Sequence, residues 1–155
     1  HPRRNMLLKK NHFIPSKEYL EWLKSCTCVQ QLHHTIFSNW SFTTDKDILN
    51  PEEAFNKQQG NITSYHWFLA YSLWRRFDSK VYLVEVYRFT WRFPFIETYT
   101  AVIRKDKDGG YTLFDGGDTY FITTAEEILT TLKCFRIKNL FRIPTNKKLS
   151  YKEVL

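Results

Sequence analysis

The stretch from Asn50 to Arg76 constrains the fold more than any other, because it predicts two helices separated by a glycine. Asn50 can cap the first helix and Pro51 suits its first position, while two glutamates follow near the positive end of the helix dipole. We expect Gly60 to end this helix. In the second helix, apolar residues recur at i, i+3, i+4 and i+7 and then spread around most of the circumference. The second helix is therefore predicted to be buried at the centre of the fold.

The helical period disappears after Arg76, and the second half of the chain favours antiparallel strands. The predicted strands are residues 81–93, 96–104, 111–114, 119–122 and, after a helix that Thr124 caps, 134–143. Residues 35–49 have little periodicity and are predicted to form a loop with a short strand or turn. We therefore predict an α+β fold, in which N-terminal helices, including a buried central helix, pack on a C-terminal antiparallel sheet.

Length and composition limit the classes of protein. The chain has 155 residues, of which 43% are hydrophobic and 17% aromatic, so we expect one folded domain over residues 1–155. No apolar run approaches the roughly 18–20 residues that span a bilayer, and no signal peptide is recognisable. Three cysteines are too few, and odd in number, for a disulfide scaffold. We expect a cytoplasmic protein with no membrane span.

The cysteines and histidines near the N-terminus invite a metal hypothesis, which their spacing does not favour. Cys26 and Cys28 are separated by one residue, whereas zinc sites use Cys-x2–4-Cys, and His33 and His34 are adjacent. We predict no metal site. Because no glycine-rich phosphate-binding motif is present either, we predict no cofactor.

The order of motifs resembles the transglutaminase-like branch of the papain-like thiol enzymes. Members of that branch have a Pro-Glu-Glu helix and then Gly-x-Cys at the start of the central helix, where the helix terminus activates the thiol. Here the corresponding tripeptide is Gly60-Asn61-Ile62. The resemblance places the histidine of the family on Thr100 and its aspartate on Asp115. It also implies that Ile62 and Thr100 lie close together, with Asp115 on the neighbouring strand.

Isoleucine and threonine at these positions imply a catalytically inactive, degenerate member of the family. A thiol nucleophile needs a base, and the base needs an acid to orient it. We expect such a domain to act by binding a protein, a peptide or a small molecule in a groove between the central helix and the sheet, with a protein or peptide as the favoured partner. The groove candidates are Asn61, Ser64, Trp67, Tyr99 and Asp115.

Two other functions stay open from the sequence. A hydrolase or acyltransferase with a non-standard nucleophile is conceivable at Thr63 or Ser64, but residues two apart on a helix do not face each other, so Ser64 and His66 pair poorly. A nucleic-acid-binding protein would use the basic C-terminal segment, residues 133–155, which carries seven basic residues and one acid. Its basic patch candidates are Lys133, Arg136, Lys138, Arg142, Lys147 and Lys148.

Overall fold

The computed structural model describes residues 12–154, so residues 1–11 and Leu155 of the predicted domain lie outside the described residues. The helices are α1 (Lys17–Ser25), α2 (Val29–Asn39), α3 (Pro51–Lys57), α4 (Ile62–Phe77), α5 (Ala125–Leu132) and α6 (Tyr151–Val154). The strands are β1 (Ser41–Phe42), β2 (Gln59–Gly60), β3 (Val81–Phe89), β4 (Ile96–Lys105), β5 (Tyr111–Asp115), β6 (Asp118–Ile122), β7 (Arg136–Arg142) and β8 (Lys147–Leu149). The predicted α+β class is confirmed, with helices first and the large sheet in the C-terminal half.

The large sheet is antiparallel and has the order β6-β5-β4-β3-β7-β8. Consecutive residues of a strand point to opposite faces, so the sheet has two sides to cover. Helices α1–α4 cover one face, where Leu83, Val102 and Phe114 join their apolar cluster. Helix α5 covers the other face through Ile128 and Leu132. Because α4 is buried between the sheet and the other helices, its position matches the predicted central helix.

The junction between α3 and α4 shows why glycine stands at position 60. Asn50 and Glu53 form a capping box at the start of α3, as the sequence suggested for Asn50. The helix ends at Gln58, which takes the left-handed conformation at φ 54°, so the prediction that Gly60 ends it is wrong. Gly60 instead packs tightly, because a β-carbon there would lie 3.1 Å from the Trp40 ring and 3.3 Å from Leu49. Glycine is favoured at position 60 because there is no room for a side chain, and not because the backbone needs a special conformation.

Replacing Gly60 with alanine is therefore expected to lower the free energy of unfolding by about 1–3 kcal/mol, since overpacking strains buried neighbours. Urea unfolding measures this loss. Gly117→Ala is the matched control, because the atoms nearest to its β-carbon would be those of the Phe37 ring, which is 40% exposed, whereas the Trp40 ring at Gly60 is 7% exposed. A loss for Gly60→Ala no larger than that for Gly117→Ala would contradict the packing argument.

Two of the predicted regions differ clearly from the structure. Residues 35–39 belong to α2 rather than to a loop, because the buried Leu32, His33 and Ile36 give that helix an inward stripe. Strand β3 ends at Phe89 rather than at residue 93, since residues 90–95 form the turn that leads into β4. Strand β8 and helix α6 had no sequence prediction. Within residues 12–154 we find no helix that is long and apolar enough to cross a membrane.

Candidate functional site

The start of α4 lies against β4, where the resemblance placed two of its site positions. Asn61 caps α4 by accepting a hydrogen bond from Ser64 N at 2.8 Å, and its amide donates to the carbonyls of Asp45 and Asp47. Ile62 is the first residue of the helix and is half-buried. The hydroxyl of the buried Thr100 donates to the Ile62 carbonyl at 3.4 Å. The two positions are thus neighbours in space, as expected.

His66 occupies the centre of this site, one turn into α4. The amide of Gly116 donates to His66 Nε2 at 3.0 Å, which requires that the ring proton sit on Nδ1. Nδ1 lies 3.0 Å from the Ile62 carbonyl oxygen and 3.3 Å from Thr100 Oγ1. Both nitrogens of this fully buried imidazole are therefore bonded to groups of the protein itself.

Gly116 links His66 to two further polar side chains. Its carbonyl accepts from the Tyr65 hydroxyl at 2.9 Å and from His33 Nε2 at 2.8 Å. Gly116 has φ 59°, a left-handed conformation that favours glycine. The backbone amide and carbonyl of Gly116 thus join the turn after β5 to helices α4 and α2.

Burial sets the protonation state of both histidines. Desolvation lowers the pKa of His66 from 6.5 to about 3, against a smaller opposing effect of the Ile62 carbonyl. Desolvation also lowers the pKa of His33, although its bond to the Gly116 carbonyl partly offsets this. At neutral pH both rings are uncharged, and His66 has no lone pair free to accept a proton from a substrate.

Asp115 lies on the neighbouring strand β5, but it faces away from Thr100. Strands β4 and β5 are antiparallel, and Val102 pairs with Phe114. Continuing this register by two residues places Thr100 opposite Gly116 rather than opposite Asp115. Phe114 belongs to the helix-side core, so the alternation of the strand turns Asp115 to the other face. Its carboxylate accepts a short hydrogen bond from the Tyr99 hydroxyl. Asp115 is therefore bonded to Tyr99 rather than to Thr100, and the Tyr99 ring meets the His66 ring edge to face with the ring centres 6.2 Å apart.

Two predicted groove residues are buried in the core. Ser64 has no exposed surface and its Oγ accepts from the Leu49 amide at 2.8 Å. Trp67 is 1% exposed and packs among the helices. Neither side chain can touch a ligand, which removes both from the predicted groove and removes Ser64 as a nucleophile. Asn61, Tyr99 and Asp115 stay partly accessible.

The thiols lie apart from this site. Cys26 is buried, and desolvation raises the pKa of its thiol, while Cys28 is exposed at the cap of α2 and Cys134 is half-buried. Among residues 12–154, no group of three or more His, Cys, Asp or Glu side chains is arranged to hold a metal ion.

Two cavities flank the helical layer. A small one of about 150 Å³ lies at the start of α4 and is lined by Thr44, Asp45, Lys46 and Ile48 of the preceding loop and by Asn61, Ile62, Thr63 and Thr98. A larger one of about 670 Å³ is lined by residues of α2 and of β4–β6, among them Cys28, His33 and Thr119. Of these two cavities, only the small one is lined by predicted site positions, Asn61 and Ile62.

The predicted basic patch is spread along β7 and β8 rather than gathered at one point. Arg136 and Arg142 stand at opposite ends of β7, and Lys147 pairs with Arg142 across the strands. Lys138 Nζ lies 5.4 Å from the centre of the Tyr87 ring, and Lys148 Nζ lies 6.0 Å from that of Phe141. Lys133 ends α5. The six residues follow one edge region of the sheet.

Comparison with known proteins supports the fold alone. No protein-family model and no curated protein matches the chain. Among solved structures, it is similar to one described as "a Putative Cysteine Protease from Cytophaga hutchinsonii", with a TM-score of 0.52 and 11% identity. The match covers 88% of this chain and 54% of that one, so the chain spans about half the length of that protein. The chain therefore shares the overall fold of the matched part of that structure.

Sequence reasoning missed the role of His66. It considered this histidine only as a partner of Ser64 and set that pair aside. A signal was present, because an imidazole in a helix that is apolar on most sides must find hydrogen-bond partners when it is buried. The sequence did not reveal that the partners would be Ile62, Thr100 and Gly116.

Proposed function

We propose that this chain is a catalytically inactive member of the transglutaminase-like branch that acts by binding a protein or peptide. The observation that carries the proposal is the state of His66, which fills the space between Ile62, Thr100 and Gly116 with both ring nitrogens bonded. Thiol chemistry of the papain-like kind needs a nucleophile and a free base at this place.

None of the three roles has an occupant. The Ile62 side chain has no ionisable atom. The Thr100 hydroxyl is buried and donates to a backbone carbonyl, so it cannot serve as a base at neutral pH. Asp115 is bonded to the Tyr99 hydroxyl, whereas the nitrogens of His66 are bonded to Ile62, Thr100 and Gly116, so Asp115 does not orient this imidazole. The position of the site is kept while its reactive groups are replaced, which is the expected result when a fold keeps binding and loses chemistry.

The small cavity beside Ile62 favours a peptide over a free small molecule. Its volume of about 150 Å³ is below the roughly 300–1,000 Å³ of ordinary ligand pockets, and suits a single side chain. Exposed polar residues of the preceding loop, Asp45 and Lys46, lie at its edge and are placed to bond a peptide backbone. A protein partner would insert one residue there and lie along the loop.

The test is selection of short immobilised peptides by the full chain, followed by affinity measurement with two variants. Thr98→Arg fills the small cavity and should abolish binding of the selected peptides. Thr119→Arg is the matched control, since it places the same side chain in the larger cavity. Equal binding by wild type and Thr98→Arg would refute this site. Hydrolysis of the peptides that is lost on Cys28→Ser would instead establish an enzyme with a non-standard nucleophile.

The unavailability of His66 as a base gives a separate prediction. In Ile62→Cys, we expect the pH midpoint of iodoacetamide alkylation at position 62 to be the same, within about 0.5 pH unit, whether residue 66 is histidine or glutamine. A thiolate–imidazolium pair would lower the thiol pKa by about one unit or more. Peptide mass spectrometry separates position 62 from the native cysteines. A midpoint that rises clearly on His66→Gln would show that His66 can act as the base.

A further inference from the structure

The turn between β3 and β4 carries a group of exposed apolar side chains that the proposed function does not use. We define the aromatic tip as Phe89, Trp91, Phe93, Phe95 and Ile96, all of which are exposed. Trp91 is 97% exposed and Phe93 is 86% exposed. Contiguous apolar patches of this kind mark sites of protein or membrane interaction.

The aromatic tip is an ordered turn. Strands β3 and β4 pair up to Phe89 and Ile96, and beyond them Thr90 N donates to the Phe95 carbonyl at 3.0 Å. Phe95 N donates to the Arg92 carbonyl at 2.6 Å. The Phe93 and Phe95 rings meet edge to face with their centres 6.1 Å apart. These bonds hold the apolar side chains outward at the end of the sheet.

Basic residues lie within and beside the tip. Phe135 stacks on Phe89 with ring centres 4.4 Å apart, which brings the start of β7 beside the hairpin. We define the basic collar as Arg92, Lys133, Arg136 and Lys138, of which the first three are exposed. Residues 89–96 contain no acid, and the next residue, Glu97, is ion-paired with Arg88 at 2.8 Å. The exposed apolar side chains therefore have basic residues within and beside them and no unpaired acid in the turn.

We propose that the aromatic tip inserts into the surface of a bilayer that carries anionic headgroups, while the basic collar contacts the headgroups. Trp and Phe partition into the boundary between headgroups and acyl chains, and lysine and arginine near the surface add electrostatic attraction. The overall formal charge of +7 acts in the same direction.

The same observations favour a bilayer over single-stranded nucleic acid. Base stacking needs open ring faces and a track of cations along the backbone. Here Phe89 already stacks on Phe135, Ile96 has no ring, and the tip itself holds a single cation, Arg92. A bilayer uses all five apolar side chains, whatever their ring orientation.

The test is co-sedimentation of the full chain with vesicles of phosphatidylcholine alone or mixed with phosphatidylserine. We expect binding to the mixed vesicles, weakened about tenfold or more by the double substitution Trp91→Ser/Phe93→Ser and by raised salt. Ile14→Ser is the matched control, because Ile14 is also an exposed apolar residue and lies outside the tip. Arg92→Gln/Arg136→Gln should reduce the dependence on phosphatidylserine.

Tryptophan fluorescence supplies an independent readout. Of the five tryptophans only Trp91 is exposed, so a blue shift of the emission on adding mixed vesicles would report insertion of the tip. Trp91→Phe should remove the shift and keep the binding. Absence of binding to both vesicle types, or equal binding by wild type and Trp91→Ser/Phe93→Ser, would overturn the proposal. Quenching of Trp91 by a single-stranded oligonucleotide without vesicle binding would overturn it in favour of nucleic acid.

Discussion

Acidification from pH 7 to pH 4 is expected to lower the free energy of unfolding by about 3 kcal/mol through His66 alone. In the folded protein burial holds the pKa of His66 at about 3, whereas in the unfolded chain the ring takes up a proton near its ordinary pKa of 6.5. Between these values the unfolded state binds more protons than the folded state. Stability is therefore fully present above about pH 6.5 and is lost as the pH falls toward 3. Protonation of Nε2 would also turn that nitrogen from an acceptor into a donor facing the Gly116 amide.

The measurement is urea unfolding at several pH values between 7 and 4, for wild type and His66→Gln. Other acidic and basic groups change the stability of both proteins. The difference between the two proteins in how the free energy of unfolding depends on pH therefore reports His66. His33 is present in both and, because its pKa is also lowered, acts in the same direction in each. His34→Gln is the matched control, because His34 is exposed and its replacement should leave the pH dependence of stability close to that of wild type. Parallel curves for wild type and His66→Gln would contradict a neutral, buried His66.

The architecture could be predicted because periodicity and turn chemistry agree along most of the chain. The apolar circumference of α4 required a buried helix, and alternation after Arg76 required strands. The sequence could not locate the end of β3, because its alternation continues through Trp91 and Phe93, which point into solvent. An alternating pattern normally reports a buried face, and at the aromatic tip it does not.

The candidate site was predictable in position but not in orientation. Motif order brought Ile62 and Thr100 together, and the structure places their atoms 3.4 Å apart. Strand register decides which face of the sheet carries the Asp115 side chain, because a shift of one residue moves a side chain to the opposite face. No feature of the Phe114-Asp115-Gly116 sequence distinguishes the two registers. In the structure, Val102 pairs with Phe114, which fixes the register, and the Asp115 carboxylate accepts its hydrogen bond from Tyr99.

The second large effect is expected from His66→Leu at pH 7, which should lower the free energy of unfolding by about 3 kcal/mol. Leucine fills much of the space but cannot accept a hydrogen bond, so the half-buried Gly116 amide loses the acceptor His66 Nε2. The Ile62 carbonyl is less affected, because the Thr100 hydroxyl also donates to it. Since pH 7 lies above the protonation window, the loss measures the hydrogen bonds and not the charge.

Tyr65→Phe is the matched control at the same peptide. It removes one hydrogen bond to the Gly116 carbonyl, but His33 still donates there, so we expect a loss of only about 1 kcal/mol. Amide exchange gives a local readout, since the Gly116 amide should be protected in wild type and Tyr65→Phe and exposed to exchange in His66→Leu. Equal losses for the two variants, or unchanged exchange at Gly116, would mean that His66 does not fasten the β5–β6 turn. A larger loss for His66→Leu would instead show that the imidazole beside Ile62 and Thr100 holds the fold together, a role that requires both its nitrogens and leaves neither for catalysis.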